Sequence, residues 1–156
     1  MILHHIDSLY NFAIVLTGSV SDAEDLSQET YLKATRCQHL YTHDTNCKAW
    51  LFTIMKNLFL NTYRERKWEI LLGERDDEDP IFISLAMHST CDLKIDLEKA
   101  LASLPVNLRL VVVLRDQEGM EYKEIAAIFN CPIGTVMSRL SRGRARIKQF
   151  FSEEVC

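Results

Sequence analysis

Four side chains that could ligate a metal crowd one short stretch: Cys37, His39, His43 and Cys47 put two thiols and two imidazoles within eleven positions. All four are soft-to-borderline ligands suited to zinc. Their spacing matches no common zinc module, and the stretch is polar and aperiodic, so a loop with incidental Cys and His is the expectation. Metal or redox sensing there is the lesser reading, and no cofactor is expected. A second concentration of chemistry lies near the C-terminus, where Arg139, Arg142, Arg144, Arg146 and Lys148 follow Pro132 with no acid before Gln149. Cations so gathered in a chain of net charge −4 suit phosphates and guanine edges. Neither a Gly-rich phosphate loop, a nucleophile elbow nor paired carboxylates with a base are found, so no enzyme is expected.

The elements that would position these residues read as helices throughout. Ser8 to Thr17 spaces Leu9, Phe12, Ala13 and Leu16 helically before a stop at Gly18. Ser21-Asp22-Ala23-Glu24 has the form of a capping box, opening a second helix that carries Leu26, Thr30 and Ala34 to about Cys37. Lys48 to Trp68 repeats Trp50, Leu51, Ile54, Met55 and Leu58 on overlapping faces, predicting a long third helix buried between neighbours.

Beyond Glu69 the period fails. Residues 73–80 hold five acids against Arg75 and end at Pro80, which predicts a linker over 69–91 between domains at 1–68 and 92–156. Helices are then predicted over Asp92 to Ser103, ending before Pro105, and over Val106 to Glu118, ending before Gly119. Tyr122, Ile125, Ala126 and Phe129 mark another helix, Asn130-Cys131-Pro132 a turn, and Val136, Leu140 and Ile147 one face of the last. With no period-two segment, the fold class is all-α: two small helical domains joined by an acidic linker.

Helix, short turn and a helix opening at a proline make the helix-turn-helix plan over Glu121 to Ile147, with Asn130 placed where a left-handed residue is wanted. With Val136 and Leu140 inward, Thr135, Ser138, Arg139 and Arg142 share the outer face as candidates for base or phosphate contact. Arg144, Arg146 and Lys148 are expected on the phosphate backbone. The longest aliphatic run, Leu110 to Leu114, is too short to span a bilayer, and the opening residues lack a leader's cationic region. Five widely spaced cysteines fit a reducing interior, so a cytoplasmic location is expected.

Ala102-Ser-Leu-Pro, Leu114-Arg-Asp-Gln-Glu-Gly-Met-Glu-Tyr-Lys-Glu-Ile-Ala and Pro132-Ile-Gly-Thr-Val-Met-Ser-Arg-Leu resemble region four of the extracytoplasmic-function sigma factors, of the sigma-70 family. Leu16-Thr-Gly-Ser, Asp22-Ala-Glu-Asp-Leu-Ser-Gln-Glu-Thr-Tyr-Leu-Lys-Ala and Ala49-Trp-Leu-Phe-Thr-Ile-Met-Lys-Asn-Leu resemble region two. The resemblance implies a bacterial alternative sigma factor that lends promoter recognition to core RNA polymerase, contacting the clamp helices of the largest subunit and the flap, and held by an anti-sigma partner. Polymerase docking would fall on Asp25, Gln28 and Glu29, with Asp22 and Glu24 nearby. Minus-ten reading would fall on the loop from Cys37 to Cys47 and on Lys56, Asn57, Asn61, Arg64 and Lys67, with minus-thirty-five reading on the helix-turn-helix. Met137 departs from the family, which is usually basic there, and Glu121 stands where a capping Ser is usual. A stand-alone helix-turn-helix regulator is the alternative; it would bind duplex tightly without polymerase.

Overall fold

The computed structural model describes residues 2–43, 45–67 and 92–154. They divide into two compact units on either side of the 68–91 stretch. The acidic linker expected at 69–91 lies outside the described residues. No strand occurs among the described residues.

In the first unit a 3-10 turn, Ile2–His5, leads into α1 (Ile6–Thr17), α2 (Val20–Arg36), a 3-10 turn at Gln38–Leu40 and α3 (Cys47–Lys67). Gly18 ends α1 in the left-handed region, φ 66, where its N–H donates to the Ile14 carbonyl at 2.8 Å. That conformation is open to glycine at no steric cost. Ser19 caps α2, its Oγ accepting from the Asp22 N–H at 3.4 Å. The expected box at Ser21 and Glu24 is thereby corrected: the extended backbone needed for a cap falls two residues earlier, and Ser21 sits inside the first turn. At the other end of the loop Asn46 caps α3, its Oδ1 accepting from the Lys48 N–H at 3.0 Å.

Leu9, Phe12, Ala13 and Leu16 of α1, Ala23, Leu26 and Ala34 of α2, and Leu51, Phe52, Met55, Leu58 and Phe59 of α3 form this unit's core. Phe12 and Phe52 meet edge to face, 4.7 Å between centroids, a favoured quadrupole geometry. Thr30 is buried among these residues and spends its hydroxyl on the Leu26 carbonyl at 2.7 Å. Trp50 and Ile54, expected inside, are half-buried.

The second unit contains α4 (Asp92–Ala102), α5 (Val106–Val112), α6 (Tyr122–Phe129) and α7 (Ile133–Glu154). The helix expected over Val106 to Glu118 changes character midway. From Val113 to Gln117 it widens to a π turn, and the Glu118 N–H reaches back to the Val113 carbonyl. All of Leu110 to Leu114 is buried, so this segment is hydrophobic on every side and runs through the centre of the unit. Leu101, Leu104, Leu108, Met120, Ile125, Ile128, Val136 and Leu140 surround it.

Two contacts fix this unit's geometry. Arg109, 1% exposed, donates from Nη2 to the carbonyls of Ala102 and Leu104, both at 2.9 Å. It thus caps the C-terminal end of α4, where carbonyls lack intrahelical donors. Burial pushes its guanidinium down to about 10, which leaves it cationic at neutral pH. Gly143 of α7 is buried, and a Cβ built on it would stand 2.7 Å from Val112 Cγ2 and 3.5 Å from the Leu108 carbonyl oxygen. Only a residue without a side chain lets α7 come this close to α5.

Candidate nucleic-acid interface and acidic docking face

The helix-turn-helix is assembled from α6 and α7. The Glu121 N–H donates to the Glu124 carboxylate at 2.9 Å, so an acid three residues in secures the start of α6. Glu121 therefore opens this helix without the hydroxyl of a Ser or Thr. Asn130 takes φ 49, ψ 50, as its type and place predicted, and its N–H reaches Ala127 O at 3.3 Å. Pro132 stands just outside α7 and its carbonyl accepts from Thr135 and Val136, one position earlier than expected.

Val136, Leu140 and Gly143 turn α7's inner face to the unit. Ser138, Arg142, Arg146 and Lys148 are exposed, and Thr135 and Arg139 half-buried, so the expected outer face exists. Arg144 is engaged within the unit. It is exposed, yet its Nε and Nη2 both meet the Asp116 carboxylate, Nε at 3.1 Å. The hydrogen bond to Asp116 raises its pKa. Beside this pair Arg115 donates to the Met120 carbonyl at 2.8 Å and lies 4.7 Å above the Tyr122 ring, tying the π turn to α6.

In the first unit Ala23, Leu26, Ser27, Thr30 and Ala34 take α2's inner face, which leaves Asp25, Gln28 and Glu29 exposed together. Sequence reasoning missed Leu32. It is 59% exposed, seven residues after Asp25, four after Gln28 and three after Glu29, so it continues their stripe with an apolar group. Those spacings were the available signal.

Among the expected minus-ten residues, Asn57 and Asn61 are exposed one turn apart on α3. Lys56, at 8% exposure, lies on the buried side of α3 with Met55 and Phe59. Arg64 and Lys67 lie on α3, but their side chains are outside the described residues. The loop before α3 is more ordered than its composition suggested. Tyr41 packs at a tilt of 42° against Trp50, 5.1 Å between centroids, and meets His43 edge-on at 5.7 Å, while its hydroxyl donates to the Thr45 carbonyl at 2.6 Å.

Among the described residues no group of three or more His, Cys, Asp or Glu could hold an ion, so Cys37, His39, His43 and Cys47 are not brought together. His43 instead uses its ring against Tyr41. Among the same residues no helix is long and apolar enough to cross a membrane.

Comparison with known proteins matches residues 1–69 to the family described as sigma-70 region 2 and residues 94–147 to sigma-70, region 4. The chain is 38% identical to the ECF RNA polymerase sigma factor SigE of Mycolicibacterium smegmatis over 98% of its length, and spans 61% of that relative. It is 35% identical to the ECF RNA polymerase sigma factor EcfG of Rhodopseudomonas palustris, covering 94% of this chain and 80% of that one. A solved structure, the sigma factor RpoE in complex with the anti-sigma factor NepR from Bartonella quintana, superposes with a TM-score of 0.82 at 38% identity, covering 96% of this chain and 93% of that one.

Proposed function

We infer what this chain does from its family and its exposed faces: it belongs to the sigma-70 family, among the extracytoplasmic-function sigma factors. It is an alternative sigma factor, directing core RNA polymerase to particular promoters, and the chemistry of RNA synthesis belongs to the polymerase. The observation that carries this is the occurrence of both sigma-70 regions, in order, over 1–69 and 94–147. A helix-turn-helix alone is shared by many repressors and activators.

Within that reading the part over 1–68 docks on the largest-subunit clamp helices through Asp25, Gln28 and Glu29. An acid and amide face suits a cationic partner, and Leu32 supplies the apolar anchor at its end. Bases of the opened minus-ten strand meet the Tyr41–Trp50 side of the loop and the amides of Asn57 and Asn61, since flipped bases stack on aromatic rings and offer polar edges. Arg64 and Lys67 follow on the same helix as phosphate contacts. In the part over 92–156, α7 enters the major groove at the minus-thirty-five element, with Thr135, Ser138, Arg139 and Arg142 near bases and Arg146 and Lys148 on phosphates. The protein works in the cytoplasm, without catalysis of its own, beside the polymerase flap.

An anti-sigma protein is the natural inhibitor, supported by the Bartonella relative, whose solved complex contains one. Covering the α2 face would block polymerase docking outright. The test is native core RNA polymerase with and without this chain on a library of promoter fragments, scored by new start sites and by co-elution on gel filtration. Both should appear; tight duplex binding without polymerase association would establish a stand-alone regulator instead.

A further inference from the structure

Two large apolar side chains stand exposed on the helix placed in the major groove: Ile133 at 46% and Met137 at 53%. They lie one turn apart at the N-terminal end of α7, where a recognition helix meets base edges. With Val136, Leu140 and Gly143 turned inward, the helix has two unlike flanks. One carries Thr135, Arg139, Arg142 and Arg146. The other runs Ile133, Met137, Ser141, Arg144, and the cation of that series is held by Asp116 through both Nε and Nη2.

The first three turns of this second flank therefore offer a branched alkyl group, a thioether and a hydroxyl, with their single guanidinium already engaged. Such a surface brings no free cation to phosphate. In the major groove the bases display donors and acceptors everywhere except at one apolar group, the C5-methyl of thymine. An exposed Met is flexible and polarisable enough to settle on it. Arg146 on the opposite flank holds the helix against the backbone while Arg139 and Arg142 stay near bases, which keeps the apolar flank at the base edges as well.

We propose that Met137, with Ile133 beside it, is a specificity-determining residue that reads thymine methyl groups in the upstream promoter element. This rests on the sigma-factor reading. The element accordingly contains one or two adjacent thymines recognised by their methyl groups, and Arg144 contributes to the position of α7 through Asp116.

The experiment uses holoenzyme made from the full chain and native core polymerase. A promoter pool randomised in the upstream element is selected by binding, and each thymine of the winning sequence is then replaced singly by deoxyuridine, which removes the methyl and nothing else. Wild type should lose about fourfold in affinity at one or two adjacent positions, the value of one buried methyl-sized group. Met137→Ala should bind thymine and deoxyuridine alike at the strongest of these, and Ile133→Ala at its neighbour; both positions are exposed, so folding is not at stake. Deoxyuridine without effect on wild type, a winning element lacking thymine, or full methyl sensitivity in Met137→Ala would each overturn the proposal. If Met137→Ala instead eluted apart from polymerase, the flank would be a protein-docking surface and the proposal would fall. Selection of no upstream element at all would sink the sigma-factor reading, and the proposal with it.

Discussion

Replacing Gly143 by Ala sets two effects against each other, and the structure decides between them. Helix propensity favours Ala over Gly by about 1 kcal/mol in a helix interior. Against this, the new Cβ would lie 2.7 Å from Val112 Cγ2, well inside the roughly 3.5–4.0 Å at which carbons attract. Val112 is buried, and a valine in a helix has essentially one rotamer, so the methyl cannot swing aside. The Leu108 backbone beyond it blocks a slide of α7 in that direction. Overpacking of this kind costs about 1–3 kcal/mol. The net expectation is a loss of about 1 kcal/mol, confined to the second unit.

Hydrogen exchange of the intact chain measures this region by region. Amides of α5 and α7 should exchange about fivefold faster in Gly143→Ala, with α1 to α3 unchanged as the internal control. Val112→Ala alone should cost about 2 kcal/mol through lost burial and a cavity. Combined with Gly143→Ala, it makes room for the new methyl, so the pair should cost about 1–2 kcal/mol less than the sum of its parts. Unchanged or slower exchange in Gly143→Ala would show that α7 is free to back away from α5, and the close approach would no longer explain the glycine.

Leu32→Ala should weaken binding to core polymerase about tenfold, the loss of one well-buried Leu, without lowering stability, since the side chain is exposed in the free chain; equal affinity would remove Leu32 from the docking face. Asp116→Asn should release Arg144, so non-specific duplex binding should tighten and its dependence on the logarithm of salt concentration steepen by about one unit. An unchanged slope would mean that Arg144 stays clear of phosphate for another reason. His5 is held below its usual 6.5 by burial first, then by Lys48, His4 and the N-terminus. Its neutral form is favoured on folding, so its contribution is full above pH 6.5 and lost as pH falls through the lowered value. His5→Gln should therefore flatten the acid-side fall in the first unit's stability, read by Trp50 fluorescence, and identical slopes would exclude His5 as the cause.

The sequence made most of the helices legible because they pack a single face inward, so Leu9, Phe12 and Leu16, or Val136 and Leu140, announce themselves by spacing; α5, buried all round from Leu108, is the exception. The Asn130 turn was readable for a local reason too: a left-handed residue needs Gly or Asn. Capping was less so, since Ser19 and Ser21 both suit the role and only backbone geometry chooses. Arg109 shows why the buried polar set was missed. A cation beside Leu108 and Leu110 reads as an exposed interruption, and nothing local says that the carbonyls of Ala102 and Leu104 will converge on it. The pairing of Arg144 with Asp116, 28 positions apart, is likewise a product of tertiary packing. Lys56 was placed by the resemblance and not by spacing, and its burial went unforeseen because a long stem lets a lysine sit on the buried side of a helix.

The two exposed faces carry opposite signs within one acidic chain, and this bears on how each should be tested. Asp25 and Glu29, with Glu24 beside them, repel phosphate, while Arg142, Arg146 and Lys148 attract it, so neither face can serve the other's partner. Long-range charge mainly sets how fast a partner arrives and how strongly salt interferes. Short-range apolar contact sets how slowly it leaves. Each face has such a contact within its charged surround: Leu32 among acids and an amide, Met137 across the helix from arginines. Neutralising Glu29 or Arg146 should therefore act chiefly on association rate and salt dependence. Truncating Leu32 or Met137 should act on dissociation rate at any salt concentration, so the two classes of variant separate in a kinetic binding trace even where their equilibrium affinities coincide.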